Sequence, residues 1–425
     1  MKSIRTFICL AMLMMVFPGS GSTQENPFKL VLQGFIETAL KNNPELKAFQ
    51  HRIKAAQEVP SQASSLDDPI LEFQLKNMPV NTFDLSQESA TQKQFTLSQK
   101  LPYPGKRGLK SEIAEKNILI TQRDLEEARL TITRDVKLAF YELCFVLSAM
   151  TITKENKTLL EQFVLITESK YSVGKGLQQD VLKAQVELSK IMERLIELEK
   201  LEGIEKAKLN SLMNLLPQEA LTILHGIAKT DFNYTVQKLQ DIAEEHRPLL
   251  SKIRSLKARY GISKKLAEKE YYPDFNIGFK YSQREGTRLI DRPDLVSAFV
   301  GINIPIWYKT KQSHRVSETA YKVEMAGETY NKAKNQIFLK IKELVDRERQ
   351  GIKTLQLIEQ GILPQARQSL ESALAGYTVD KLDFLTLLNN QVTLFNWQIK
   401  YHRELTDYEK NLAMIEQSAG KNLFN

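Results

Sequence analysis

The sequence predicts a mainly α-helical chain with a few β-strands. They are arranged as two structural repeats, and the strands build a membrane barrel shared between copies. Three observations predict this. From about residue 106 to 170 the helical pattern runs unbroken, with no proline and no glycine after Gly108. Two short alternating segments, 69–77 and 93–101, come just before it. The same order of landmarks then returns in the second half of the chain.

The first 22 residues read as a secretory signal peptide. Lys2 and Arg5 precede an apolar run, Phe7 to Phe17, and the small polar stretch PGSGST follows. Such a run is too short for a transmembrane helix of about 20 residues. Cleavage is expected near Ser20 to Thr23. It would remove Cys9 and leave Cys144 alone, so no intramolecular disulfide holds the mature chain. Cys144, in AFYELCFVL, reads as a buried apolar residue and not as a reactive thiol.

Composition narrows the class. Of 425 residues 42% are apolar and 26% charged. The mean hydropathy of −0.33 excludes a polytopic helical membrane protein. The net charge of +8 falls to +6 once Lys2 and Arg5 leave with the signal. That excess lies on mixed-sign helix faces, which is solvated surface and not a nucleic-acid footprint.

From about Pro27 to Leu66 the chain reads as helix, interrupted or offset near Pro44. In PILEFQLKN, Leu71, Phe73 and Leu75 alternate with Ile70, Glu72 and Gln74; in KQFTLSQKL, Phe95 and Leu97 alternate with polar residues, and Leu101 does so less cleanly. The polar stretch 77–91 suits a hairpin connection. The long helix that follows, about 60 residues at 1.5 Å each, makes a rod of roughly 90 Å. Gly174 and Gly176 interrupt it, and a second helix runs to about Leu216. There Val181, Ala184, Leu188, Ile191, Leu195 and Leu198 step by three and four, a coiled-coil seam.

The plan occurs twice. NNPEL around Pro44 is answered by HRPLL around Pro248, and DDPILEFQL at Pro69 by YYPDFNIGF at Pro273. LSQKLPYPGK at Pro102 is answered by VGINIPIWYK at Pro305, and YSVGKGLQQDVLKAQVEL at Tyr171 by YTVDKLDFLTLLNNQVTL at Tyr377. Four landmarks in one order read as an internal duplication. The expected boundaries are residues 1–22 for the signal, 23–216 for the first repeat, 217–233 for a connector, 234–418 for the second repeat and 419–425 for a tail.

Strands with Leu, Phe, Ile and Tyr opposite a polar face suit the wall of a membrane barrel. Such a barrel must close so that no edge N–H meets lipid, and about eight strands are the minimum. Four strands per chain therefore require several copies. In each repeat the first helix (about 35 residues) and the last (about 40), stacked end to end, match the long helix beside them. Repeated about an axis, that wall is a hollow cylinder. A soluble β-sandwich is the competing reading of the strands taken alone.

SQKLPYPGKRG before a long helix, followed by YSVGKGLQQDVLKAQVEL, resembles the TolC-type outer-membrane efflux protein family across essentially the whole mature chain. The resemblance implies a homotrimer in the cell outer membrane. Twelve strands would form one barrel in outer-membrane lipid, and twelve helical strands a tunnel through the periplasm. The tunnel would dock on a periplasmic adaptor (a membrane fusion protein) joined to an inner-membrane pump. It would be a passive duct with no cofactor, no metal site and no nucleic-acid partner. Carried over, the adaptor-docking tips are Tyr171, Val173, Gly174, Gly176, Leu177, Asp180 and Val181, with Tyr377, Val379, Asp380, Lys381 and Asp383 in the second hairpin. Entrance-gate residues would be Asp180, Lys183, Thr386 and Asn389. Well-known members carry acids at the places held here by Thr386 and Asn389, so a less acidic entrance is expected. Pro102, Pro104 and Gly105, answered by Pro305 and Trp307, would form the barrel-to-helix junction, with Lys106, Arg107 and Lys110 near the membrane's periplasmic surface. LPYPGKRGL is similar to members serving heavy-metal efflux, which points to heavy-metal cations as cargo, with organic drugs or type I protein secretion as alternatives.

The remaining alternative is a periplasmic coiled-coil adaptor or structural protein, although adaptors typically have one hairpin flanked by β-rich domains. An enzyme finds little support. His51, His225, His246, His314 and His402 sit singly, and there is no phosphate-binding glycine loop or nucleophile elbow.

Overall fold

The computed structural model of the chain describes residues 27–221, 223, 226–287 and 289–424. The signal segment and His225 lie outside these. Where the sequence suggested one helix offset near Pro44, three stand: α1 (Pro27–Asn42), α2 (Pro44–Gln57) and α3 (Val59–Ser64). Asn43 leaves helical geometry and its side chain accepts from the Glu45 N–H at 2.9 Å. Pro44 and Pro60 then occupy first turns, where a missing N–H costs nothing.

Strands β1 (Ile70–Lys76) and β2 (Gln92–Leu101) lead into α4 (Lys106–Ser172), 67 residues or roughly 100 Å long. After α5 (Gln178–Leu212) comes the connector, and then α6 (Val236–His246), α7 (Pro248–Lys269), β3 (Phe275–Gln283) and β4 (Leu295–Ile302). The second rod differs from the first. It comprises α8 (Gln312–Leu357), a π-turn (Ile358–Ile362) and α9 (Leu363–Thr378), before α10 (Phe384–Ala419) closes the chain. Pro364 explains the π-turn, because proline cannot donate to the preceding turn and its ring crowds the carbonyl there.

The helices form a wall. α4 packs against α5 and α10 along one half of its length and against α2, α3 and α7 along the other, and α8 packs against α10 and α7. Two pairs of short helices therefore meet end to end beside the long ones. At the first joint the Asn43 side chain donates to the Leu212 carbonyl at 3.0 Å, stitching α5 to α2. At the second, α10 ends on Gly420 (φ +78°), where a Cβ would lie 2.7 Å from Arg247 Cα. The end-to-end stacking expected of the whole first helix thus holds only for its part beyond Pro44. α1 lies on the flank instead, with Phe28, Leu32 and Ile36 on Phe140, Tyr141 and Leu143 of α4. α6 does the same in the second half, with Leu239 and Ala243 packed among Ile341, Leu344 and Leu412. An apolar stretch of α4 is long enough to cross a membrane but is 67% buried in this packing. Cys144 is part of that core, and burial pushes its thiol up to about 12. On α5 the seam is carried by Ala184, Ile191 and Leu198, buried at seven-residue spacing, while Val181, Leu188 and Leu195 flank it half-buried.

The four strands form one antiparallel sheet in the order β1-β2-β3-β4, with β1 and β4 as its edges. Registered rows cross it: Leu71, Leu97, Phe279 and Ala298, then Phe73, Phe95, Tyr281 and Val296. The rings of Phe73 and Phe95 lie 5.0 Å apart, and those of Phe95 and Tyr281 6.5 Å. Between these rows run polar ones: Glu72, Thr96, Lys280 and Ser297, then Gln74, Gln94 and Ser282. The burial is inverted relative to a soluble sheet. Leu71 and Val296 are 71% and 76% exposed, whereas Gln94 and Ser282 on the other face are 4% and 7% exposed. A sandwich would bury the apolar face, so that reading of the strands is excluded.

Candidate functional site: helix tips and barrel junction

Two places join unlike structures, the tips of the helical hairpins and the passage from sheet to rod. At the first tip α4 ends in a Schellman turn. The Gly174 N–H donates to the Tyr171 carbonyl at 3.0 Å and the Lys175 N–H to the Lys170 carbonyl at 2.9 Å. Gly174 supplies the left-handed residue this needs, at φ +74°. The second tip repeats the turn with Asp380 in that place, at φ +60°. Its N–H donates to Tyr377 at 3.3 Å, and that of Lys381 donates to Gly376 at 2.9 Å.

Close approach is kept in both tips with the roles exchanged. A Cβ on Gly176 would lie 3.1 Å from Lys170 Cβ, and one on Gly376 would lie 2.8 Å from Leu382 Cδ1. When YSVGKG is set against YTVDKL, Gly176 answers Leu382 and Lys170 answers Gly376. Each turn therefore packs one bulky side chain over one glycine.

The tips are tied to each other. Lys170 Nζ donates to the Tyr377 carbonyl at 2.6 Å, pairs with the Asp380 carboxylate, and sits 4.3 Å from the centre of the Tyr377 ring. The Lys170 hydrogen bond, with its charge beside it, holds Asp380 below the usual carboxylate range. Lys170 was not among the tip residues expected from sequence. The signal available was Asp380 standing where YSVGKG in the other hairpin has a glycine, a strained place that calls for a compensating partner.

The other tip residues divide by exposure. Tyr171, Val173, Leu177 and Val379 are exposed, as are Gly174, Asp380, Lys381 and Asp383. Gly176, Val181, Asp180, Lys183 and Thr386 are half-buried, and Asn389 is exposed. Tyr377 is the exception, since it is 5% exposed. It belongs to the core with Phe163 and Phe384, ring centres 5.7 Å from Phe384, and so is no docking residue. Burial, with the charges of Asp180 and Asp380, raises its pKa. Asp383 caps α10 by accepting from the Thr386 N–H at 2.7 Å; that bond, and the Lys183 charge from the other hairpin, lower its pKa.

At the junction β2 ends on Leu101, Pro102 and Pro104 follow, and Gly105 at φ +90° precedes α4. Lys106, expected near the membrane's periplasmic surface, turns inward at the junction. It is buried, with its Nζ 2.7 Å from Asp274 and 3.0 Å from the Tyr272 carbonyl. Asp274 also accepts from the Tyr103 N–H at 2.8 Å, and the Tyr103 and Tyr272 rings stack at 4.6 Å. One ion pair thus binds the start of α4 to the start of β3. Arg107 and Lys110 are exposed. At the answering junction, beyond Pro305, Trp307 and Tyr308 are exposed. Among the described residues no group of three or more His, Cys, Asp or Glu is placed to hold a metal ion.

Residues 35–215 match the family model described as outer membrane efflux protein. That match covers a little under half of the chain, almost all of it in the first half. The family is one of outer-membrane channels and not of enzymes. The chain is 22% identical over 405 residues to the cobalt-zinc-cadmium resistance protein CzcC of Cupriavidus metallidurans, covering 92% of this chain and 90% of that one. Its fold matches the outer membrane protein VceC of Vibrio cholerae with a TM-score of 0.78, at 18% identity, over 93% of this chain and 98% of that one. The channel protein CusC gives a TM-score of 0.76 at 15% identity, over 92% of both chains.

Proposed function

We propose that this protein is the outer-membrane duct of a tripartite efflux system, passing cargo from a periplasmic adaptor and an inner-membrane pump to the outside. The observation that carries the reading is the inverted sheet, apolar face open and polar face shielded, on top of a wall of rods some 100 Å long. Such a face is stable in lipid, but β1 and β4 then need partners, because an unpaired N–H in hydrocarbon costs several kcal/mol. Three copies, each pairing its β4 with the next copy's β1, bring twelve strands into one barrel and continue the rods as a periplasmic tunnel. The exposed apolar collar of Tyr171, Val173, Leu177 and Val379 is the adaptor-docking surface. Asp180 and Lys183 from one tip, with Thr386 and Asn389 from the other, line the entrance.

Heavy-metal cations are the proposed cargo. Support comes from the LPYPGKRGL junction and from the name of the CzcC relative. The test has two arms. Extraction of the mature protein is expected to need detergent and to yield a trimer on crosslinking; a monomer released by buffer alone sinks the channel. Deletion is expected to sensitise cells to cobalt, zinc and cadmium more than to organic drugs, and the reverse pattern sinks the cargo assignment.

A further inference from the structure

The joint between α10 and α7 borders a gap in the wall. At the joint between α5 and α2 Asn43 both caps its helix and bonds across to Leu212. At the other, the equivalent place is held by Arg247, and a cavity of about 460 Å³ opens between α4 and α8. Its polar lining is Arg134, Arg247, Lys340, Gln336, Gln417 and Ser418: three cations, two amides and a hydroxyl, with no carboxylate. Leu138, Leu249, Ile337 and Met414 supply apolar walls.

Arg247 is the decisive residue. It is 8% exposed, and its Nε and Nη1 groups have no hydrogen-bond partner. Only Nη2 is engaged, with Glu127 at 2.5 Å. Buried guanidinium donors are seldom left unmade, because each unmet donor keeps its desolvation penalty. Burial pulls the Arg247 pKa down against the pull of Glu127, and the charge of Arg134 adds to the fall. Arg134 holds Asp135 at 2.7 Å and Gln417 at 2.9 Å, and Lys340 is 3.9 Å from Glu343. None of these three carboxylates lines the cavity.

We propose that this cavity binds a small organic anion, a carboxylate with a short apolar body. The carboxylate meets Arg247 with Arg134 and Lys340 around it, and the body lies against Leu138, Ile337 and Met414. A volume of this order suits a small-molecule ligand. The occupant would touch α4, α7, α8 and α10 at once and so brace the place where α10 and α7 meet end to end between the two continuous helices α4 and α8. The inference does not depend on the cargo or on the trimer.

The experiment is calorimetric titration of the purified, detergent-solubilised full-length protein with hexanoate, acetate, inorganic phosphate and hexylammonium. Hexanoate is expected to bind saturably and to raise Tm, acetate and phosphate to bind at least about tenfold more weakly, and hexylammonium not to bind. R247Q is expected to weaken hexanoate by about tenfold or more, the effect of losing a charged hydrogen bond. K340Q, at an exposed position, should weaken it severalfold without touching the fold. Phosphate binding as tightly as hexanoate overturns the apolar part of the assignment. No saturable binding by the unmodified protein, or equal binding by both variants, overturns the site.

Discussion

Removing the Lys170 ammonium is the sharpest perturbation of the tips. Lys170→Met keeps the stem that packs over Gly176 and deletes only the charge. The side chain is 16% exposed, and its bond to the Tyr377 carbonyl is 2.6 Å long. A charged hydrogen bond contributes about 1.5–3 kcal/mol, and the lower end applies at this partly open site. The contact with the Tyr377 ring adds about 0.5 kcal/mol. Together they make about 2 kcal/mol, or roughly thirtyfold in the ratio of tied to untied hairpins. The Asp380 contact is exposed and screened by salt, so it forms the salt-dependent part of the tie. In planar bilayers Lys170→Met is expected to raise mean conductance. Asp380→Asn, which keeps a residue tolerant of the left-handed conformation, should raise it less, and mainly at low salt. The two should couple in a double-mutant cycle. Unchanged conductance in both variants at low salt, or strictly additive effects, would refute a tie that restrains the tips.

Two other predictions concern the sheet and the middle of the rods. Phe279→Lys puts a charge on the apolar face at a cost of about 2–4 kcal/mol near mid-membrane, whereas Thr96→Lys faces the polar side. The first should abolish heat-modifiable trimer in outer-membrane fractions and the second should not; equal assembly would place the sheet outside lipid. Stability should also vary with pH in two opposite windows. Burial, opposed by the Asn411 and Tyr408 hydrogen bonds, holds the Glu348 carboxyl up at about 7, and burial likewise holds Glu409 at about 6. Between the ordinary value near 4.5 and these values the folded state binds more protons than the unfolded, so stability falls as pH rises from about 4.5 to 7. Burial pushes Glu142 up too, but bonds from Arg403 and Lys410 prevail and bring it to about 2. Its contribution is lost as pH falls from 4.5 toward 2. Tm should therefore be higher near pH 5 than at pH 7.5, and Glu348→Gln should flatten that slope; an unaltered slope would remove Glu348 from the account.

The elements themselves were legible because their causes are local. Proline and glycine punctuate the helices, period-two alternation marks the strands, and the repeated landmarks tell how the parts recur. Even the exception at Pro364 had its sign in the sequence, since one proline within a long helical pattern must kink, break or bulge it. The sheet-to-helix stretch around Gly105 is of the same kind, because two prolines and a left-handed glycine fix it from within.

Other features depend on residues far apart in the chain. Alternation showed that Leu71, Phe73 and Leu75 share a face, but not whether water, core or lipid covers it. Only the fold, with Gln94 and Ser282 shielded and Leu71 and Val296 open, shows that the polar side is the covered one. Tyr377 looks like its exposed partner Tyr171 in sequence, yet three other helices bury it. The sequence does not show that Lys106 is drawn inward by Asp274, 168 positions away. Lys170 likewise meets Asp380 only once both hairpins turn at the same level. By itself the sequence determined the order, length and faces of the elements, since those follow from backbone preferences over a few residues. The tertiary structure alone decided which faces are covered and which charges are paired, because burial and ion pairing belong to neighbours that the chain brings together only on folding.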